Sequence, residues 1–353
     1  MPIDIDRPEA VRAGAGFDAE ALRGWLRSAL DLREPVEVHQ FARGYSNLTY
    51  LVRVGERELV LRRGPPGVHI ASAHDMGREV RILTGLARVW DRSPRPLGYC
   101  EDPEVIGTPF YVMERMRGVV LRARGASRSL DAATIRRVGQ ACVDTLAGIH
   151  DLDLEAAGLA DLGRPTGYIQ RQVAGWTRRY ERAKTDDIPG ATRVAAWLAE
   201  HTPPEDGAAL IHNDFKFDNV LLDADDLGVV RSVFDWEMAT VGDRWADLGT
   251  ALSYWVQADD AEELTVLRFG PTDLPGSLTR AEVVDRYEQA SGRTAPDMVF
   301  FYVLGLFKLA GVAQQLYARY RAGLTTERRY AAMIDGVRAC VSQAERVIEA
   351  GRL

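Results

Sequence analysis

Between Leu48 and Val54 apolar side chains fall on every second residue, Leu48, Tyr50, Val52 and Val54, the period of a strand with one face buried. Gly55-Glu56 offers a turn and the run ELVLRR follows, so the first element expected is a β-hairpin. In ASAHDMGREVRILTGLARVW the period changes. Met76, Val80, Leu83 and Ala87 recur at helical spacing, and Ser72 followed three places on by Asp75 resembles a capping box at the start of an amphipathic helix. Residues 108–118, TPFYVMERMRG, predict a further strand that runs into a connector.

Beyond about residue 115 helical spacing dominates. Ile135, Val138, Cys142 and Leu146 form an apolar stripe that ends near Ile149-His150. Two exceptions stand out: LIHNDFKFDNVLL, residues 210–222, in which two aliphatic runs suit buried strands, and LGVVRSVFDWE, residues 227–237, a short apolar strand closing on an Asp. The change of period predicts an α+β chain with a strand-rich part over 1–115 and a mainly helical part over 116–353. The most apolar segment, VFFYVLGLF from Val299 to Phe307, reads as a buried core helix, too short to cross a bilayer and broken by Lys308.

Composition narrows the partners. The chain has 353 residues, 46% of them hydrophobic and 27% charged, enough to bury a large core. A net charge of −7 lacks the basic excess that nucleic acid or an anionic membrane surface would attract, and neither is expected as a partner. Cys100, Cys142 and Cys340 lie far apart with no metal-ligand spacing, as in a reduced cytoplasmic chain, and the stretch MPIDIDRPEA has the wrong character for a secretion signal.

The chemistry concentrates in residues 210–222. His212, Asp214, Lys216, Asp218 and Asn219 sit within eight positions between two buried runs, a costly arrangement unless a ligand or metal binds it. Asp235 ends the next strand, so loops from neighbouring strands carry Asp214 with Asn219 and Asp235. Phosphoryl transfer needs positioned reactants, metal ions to neutralise phosphate oxygens and a carboxylate to take the acceptor's proton, and each part has a candidate here. A polar turn without function is the plain alternative. A metal-dependent hydrolase fits less well, since its ligands usually include His and His212 is the only one nearby.

The spacing H-x-D-x-x-x-x-N, followed by D-W-E at Asp235, resembles the protein-kinase-like superfamily, and within it the aminoglycoside phosphotransferase and choline kinase branch. That resemblance implies a two-lobed fold with ATP and Mg²⁺ in the cleft. It implies Asp214 as catalytic base, Asn219 and Asp235 on Mg²⁺, His212 orienting the loop from beneath, and Lys216 steadying the transferred phosphoryl group. It further implies that Gly44, Ser46 and Asn47 in RGYSNLTYLV lie at the bend over ATP, that Glu114 to Met116 present backbone groups to adenine, and that Asp247 ties its helix to the catalytic loop, with Asp243 open as a helix cap. The sequence departs from the family where the second strand should offer a Lys, for LVLRRG holds Arg62 and Arg63; strand register favours Arg62, with Glu79 as partner. Read without the family, both arginines would be solvated surface charges.

For the acceptor, a small molecule bearing a hydroxyl is implied. From residue 301 onward eight cationic side chains face four anionic ones, the opposite of a pocket for polycationic aminoglycosides. Phe300, Phe301, Phe307 and Leu316 near Lys308, Arg319 and Arg321 would suit an acceptor with an apolar and an anionic part. The same region looks like the kinase-like domains associated with acyl-CoA dehydrogenases, for which hydroxyacyl-CoA thioesters are the implied acceptors. A pseudokinase that binds nucleotide without transfer is the competing reading.

Overall fold

A computed structural model of the chain describes residues 8–12, 14–41, 47–65, 75–122, 129–204, 207–325 and 327–353. The first part holds β1 (Pro8–Glu9), α1 (Ala19–Leu30), β2 (Val36–Phe41), β3 (Leu48–Val54), β4 (Arg57–Arg63), α2 (Met76–Val89), β5 (Pro96–Cys100), α3 (Pro103–Ile106) and β6 (Phe110–Glu114). Its strands pair antiparallel in the order β1-β2-β3-β4-β6-β5. The expected hairpin is β3 and β4, in register from Leu48↔Arg63 to Val54↔Arg57, and Gly55 turns it in the left-handed region at φ 57°.

Strand alternation divides the sheet's side chains between two cores. Leu59 and Leu61 join Tyr50, Val52, Phe110 and Val112 against Leu22 and Leu26 of α1. Val60, Tyr111 and Met113 face Met76, Ile82, Leu83 and Leu86 of α2, in a core continuous with the helical part. Helix α2 starts one residue after Asp75, whose carboxylate accepts the Arg78 amide as N-cap; Ser72 lies outside the described residues. Its buried line runs through Met76, Glu79, Ile82, Leu83 and Leu86, which is turned from the stripe through Val80 and Ala87 that the sequence predicts. The cause is Glu79, a buried charge that a hydrophobic pattern scores as surface.

The second part contains α4 (Ala132–His150), α5 (Leu154–Ala157), α6 (Tyr168–Ala183), α7 (Pro189–Glu200), β7 (Ala209–Ile211), β8 (Val220–Leu222), β9 (Val230–Val233), β10 (Thr240–Gly242), α8 (Arg244–Ser253), α9 (Arg280–Ser291), α10 (Met298–Arg321) and α11 (Met333–Ala350). The stripe Ile135, Val138, Cys142 and Leu146 is buried along α4 as expected. Strands β7 and β10 pair, as do β8 and β9, so the polar stretch after β7 and the one after β9 emerge side by side. The Phe234 amide donates to the Asn219 carbonyl at 2.8 Å and closes the gap between them.

Helix α10 corrects one expectation. It runs 24 residues straight through Lys308, because buried polar partners take up that charge. It is the one helix among the described residues long and apolar enough to cross a membrane, yet 78% of its most apolar window is buried inside the protein. It packs on α8 with almost no space between backbones: a Cβ on Gly249 would lie 2.2 Å from the Phe301 carbonyl oxygen, and one on Gly305 2.4 Å from that of Gly249. The three cysteines are free and buried.

Candidate active site

The loop after β7 is fixed from below before any of its side chains acts. Asp247, in the first turn of α8, accepts the amides of His212 and Asn213, each at 2.7 Å, and His150 Nε2 contacts the same carboxylate at 3.0 Å. Burial opposes its charge, but the His150 contact, His212 and the amide bonds outweigh it and hold its carboxyl below the usual range. The Asp243 side chain caps the same helix by accepting the Trp245 and Ala246 amides. Asn213 takes up the left-handed conformation at φ 65°, where short polar side chains are tolerated. Its carbonyl accepts Lys308 Nζ at 2.7 Å and its side-chain oxygen accepts Tyr168 Oη at 3.2 Å.

His212 is fully buried and spans the two loops. Its Nδ1 accepts the Asp214 amide at 3.2 Å, which leaves Nε2–H to donate to the Phe234 carbonyl at 2.9 Å. The ring lies 4.8 Å from that of Trp236, a fully buried residue of the D-W-E stretch.

The Asp214 carboxylate meets three donors. Tyr254 Oη donates to Oδ1 at 2.7 Å, while Lys216 Nζ at 2.6 Å and Asn219 Nδ2 at 3.2 Å donate to Oδ2. Asn219 Nδ2 also bonds the Asp214 carbonyl at 2.9 Å, in a single 3₁₀ turn over Phe217–Asn219. Lys216 is held over the rings of Tyr254 and Phe269 at 5.1 and 5.5 Å. Burial opposes its charge, but Asp214 outweighs this and raises its pKa. Behind it lies a cavity of about 20 Å³ with Phe217, Tyr254, Trp255 and Phe269 in its wall, room for about one water molecule.

Asp235 also adopts the left-handed conformation, at φ 65° and ψ 60°, with its side chain 28% exposed. Arg62 reaches it from β4: Nη2 stands 2.5 Å from Asp235 Oδ1 and 3.2 Å from Glu237 Oε2, and Nε 3.1 Å from Glu79 Oε2. Asn47 Nδ2 donates to the same Glu237 oxygen at 2.6 Å. Burial would lower the Arg62 pKa; Glu79, Asp235 and Glu237 instead keep it well above its ordinary value. In Glu79 burial wins and the pKa rises despite Arg62.

Arg63 leaves the sheet on the opposite face. It is buried, donates to the carbonyls of Ile106 at 2.9 Å and Ala15 at 2.7 Å, and lies 4.9 Å over the Phe17 ring. Neither arginine is a solvated surface charge, and only Arg62 points into the cleft. Gly44 and Ser46 lie outside the described residues. Glu114 closes β6, its amide bonded to the Arg95 carbonyl at 2.9 Å, and Met116 is half-buried two residues on.

The acceptor surface expected around α10 is not formed as the sequence reading drew it. Phe300, Phe301 and Phe307 are buried core residues, and Lys308 is spent on Asn213. A cation inside an otherwise apolar helix turns inward to the nearest carbonyls rather than out to solvent. Tyr254, Asn213 and Glu237 also belong to the site, though the motif spacing does not single them out. A signal existed for two of them: Tyr254 stands seven residues after Asp247, on the same helix face, and Glu237 lies inside the quoted D-W-E.

Among the described residues no group of three or more His, Cys, Asp and Glu converges as a metal cage. Mg²⁺ asks for less, commonly one or two protein oxygens alongside phosphates and water. Asp235 supplies a carboxylate, and Asn219, whose Nδ2 is committed to Asp214, has its amide oxygen left for a hard cation. This donor set fits the ion.

Comparison with known proteins places the chain in a family. A family described as "Phosphotransferase enzyme family" matches residues 37–291. The chain is similar to acyl-CoA dehydrogenase family member 11 of Gallus gallus, 36% identical over 89% of this chain and 41% of that protein, and to family member 10 of Mus musculus, 33% identical over 92% of this chain and 30% of that one. It therefore spans less than half the length of these relatives. Among solved structures it is similar to a Ralstonia eutropha protein assigned as a candidate aminoglycoside phosphotransferase, with TM-score 0.80, 28% identity and coverage of 95% of this chain and 99% of that one. A mutant of aminoglycoside phosphotransferase APH(4)-Ia, in complex with AMP-PNP and hygromycin B, shares the fold at TM-score 0.59 and 16% identity, over 94% and 99% of the two chains. The chain belongs to the phosphotransferase enzyme family, and its two-lobed protein-kinase-like fold is that of the family's small-molecule kinases.

Proposed function

We propose that the protein transfers the γ-phosphoryl group of ATP, with Mg²⁺, to a hydroxyl of a small molecule. The observation that carries this reading is the meeting of Asp214, Asn219 and Asp235 on adjoining loops, with Arg62 arriving from the sheet. Asp214 takes the acceptor's proton, Lys216 steadies the phosphoryl group in flight, and His212 couples the two loops. Asn219 and Asp235 would hold Mg²⁺, which on binding neutralises phosphate oxygens. Arg62, tied to Glu79, answers for the usual Lys, with Asn47 over the phosphates and Glu114 to Met116 beside adenine; for Gly44 and Ser46 the phosphate role rests on the sequence alone. The division of labour follows a boundary at 115/116.

For the acceptor we favour an anionic, acyl-bearing alcohol such as a hydroxyacyl-CoA. In support stand the acyl-CoA dehydrogenase names of the relatives and the cationic surplus beyond residue 301, of which Arg319, Arg321 and Arg328 are exposed. The test is ADP release in Mg²⁺-ATP with 3-hydroxybutyryl-CoA, with kanamycin and with no acceptor, the product identified by mass. Phosphorylated thioester and untouched kanamycin are expected. Turnover of kanamycin alone would replace the acceptor, and no turnover at all in the presence of bound ATP would make the chain a pseudokinase.

A further inference from the structure

Helix α8 touches the catalytic loop at two places on one face. Asp247 holds the amides of residues 212 and 213, and Tyr254, seven residues later at the helix end, donates its hydroxyl to Asp214 Oδ1 at 2.7 Å. The helix that carries Asp247 and ends against Tyr254 is immobilised: every residue from Arg244 to Ser253 is buried, and Gly249 and Gly305 bring its backbone against α10 too closely for a Cβ. Asp214 Oδ2 is already committed to Lys216 and Asn219. Each carboxylate oxygen has two lone pairs, so the single bond from Tyr254 orients Oδ1 and leaves a lone pair there to receive a proton.

We propose that Tyr254 is a positioning residue, aiming Asp214 Oδ1 at the acceptor hydroxyl. The inference rests on Asp214 being the base. As the acceptor oxygen bonds to the γ-phosphorus, the bridging oxygen leaves with ADP and the acceptor's proton passes to Oδ1. Tyr254 keeps its own proton throughout: burial first, and then the Asp214 charge, push its phenol well above the ordinary value.

The test compares Tyr254→Phe with Asp214→Asn and the parent. Mg²⁺-ATP turnover is followed with 3-hydroxybutyryl-CoA and with water alone, in whichever the parent is faster, beside ATP affinity by calorimetry and the melting temperature. Tyr254→Phe keeps the ring over Lys216 and loses only the hydroxyl. Its kcat should fall about tenfold while KM for ATP and Tm stay at parent values. Tyr254→Leu, which also loses the ring, should match its ATP affinity. A Tyr254→Phe chain as fast as the parent, beside an inactive Asp214→Asn, overturns the role of Tyr254 alone. A fall in kcat matched by lost ATP affinity or Tm also overturns it, because the hydroxyl would then hold structure. Parent-like turnover by Asp214→Asn, or a parent that turns over ATP in neither reaction, overturns the base assignment and this inference together.

Discussion

Asp214 takes its hydrogen bonds from Tyr254, Lys216 and Asn219, all on its own side of the cleft, whereas Asp235 is gripped by Arg62, a residue of strand β4 in the sheet. The first carboxylate belongs to a framework that α8 and α10 hold rigid. The second belongs to a chain of charges that runs from Asp235 through Arg62 to Glu79 on α2. The carboxylate proposed as proton acceptor thus takes no side-chain bond from the sheet, while the one proposed for the metal does. The hydrogen bond from His212 to the Phe234 carbonyl spans the two systems.

Substitutions can separate the two. Asp214→Asn should lower turnover about a hundredfold or more, since the acceptor's proton loses its receiver, and leave ATP affinity near the parent value in calorimetry. Arg62→Ala should act on the other system: KM for ATP rises about tenfold, with KM for the acceptor unchanged in steady-state kinetics. If both KM values rise together, the two systems are one. Arg63→Ala serves as the control for the opposite sheet face. It strands the Ile106 carbonyl in a buried site and leaves the Ala15 carbonyl with Tyr50 Oη alone, so a loss of about 2 kcal/mol in denaturant unfolding is expected, with the folded protein's KM for ATP unchanged.

The smallest effect tests the anchor on the Asp214 side. The Lys308 pKa falls from 10.5 to about 8, because burial opposes its charge more than Asp247 and Asp214 favour it, with Lys216 and Arg179 pushing the same way as burial. A lysine that binds its proton less tightly when folded costs stability below pH 8, and the cost is relieved as pH rises from 8 toward 10.5. The stability of the parent relative to Lys308→Met should therefore increase across that window in denaturant melts. Turnover of Lys308→Met at pH 7 should drop about threefold as Asn213 loses its tether. Parallel pH curves for the two chains would clear Lys308 of this role.

Local patterns carried much of the fold. The alternation of Leu48 to Val54 is satisfied by the next strand, the stripe of α4 shows in its own helical period although distant α9 packs on it, and the spacing of His212, Asp214 and Asn219 reports one loop. What the apolar pattern alone does not show are contacts made at long range by polar groups inside apolar elements; the Arg62–Glu79 pair is reached only through the family resemblance. Glu79 turned the buried face of α2 because a pattern of apolar positions has no place for a buried carboxylate paired with a strand residue. Lys308 reads as the end of an apolar run, since its partner, the Asn213 carbonyl, is 95 residues away and belongs to the backbone. Arg62 and Arg63 are adjacent and chemically alike, and only the parity of the strand tells the cleft from the α1 core.

Asp214 and Asp235 should depend differently on nucleotide and metal. Calorimetric titration of ATP, with and without Mg²⁺, into the parent, Asp214→Asn and Asp235→Ala measures the difference. The parent and Asp214→Asn should bind with the same Mg²⁺-dependent gain, and Asp235→Ala should lose that gain, a weakening of about tenfold or more. Parent-like Mg²⁺-dependent binding by Asp235→Ala would contradict the account and place the metal away from this loop.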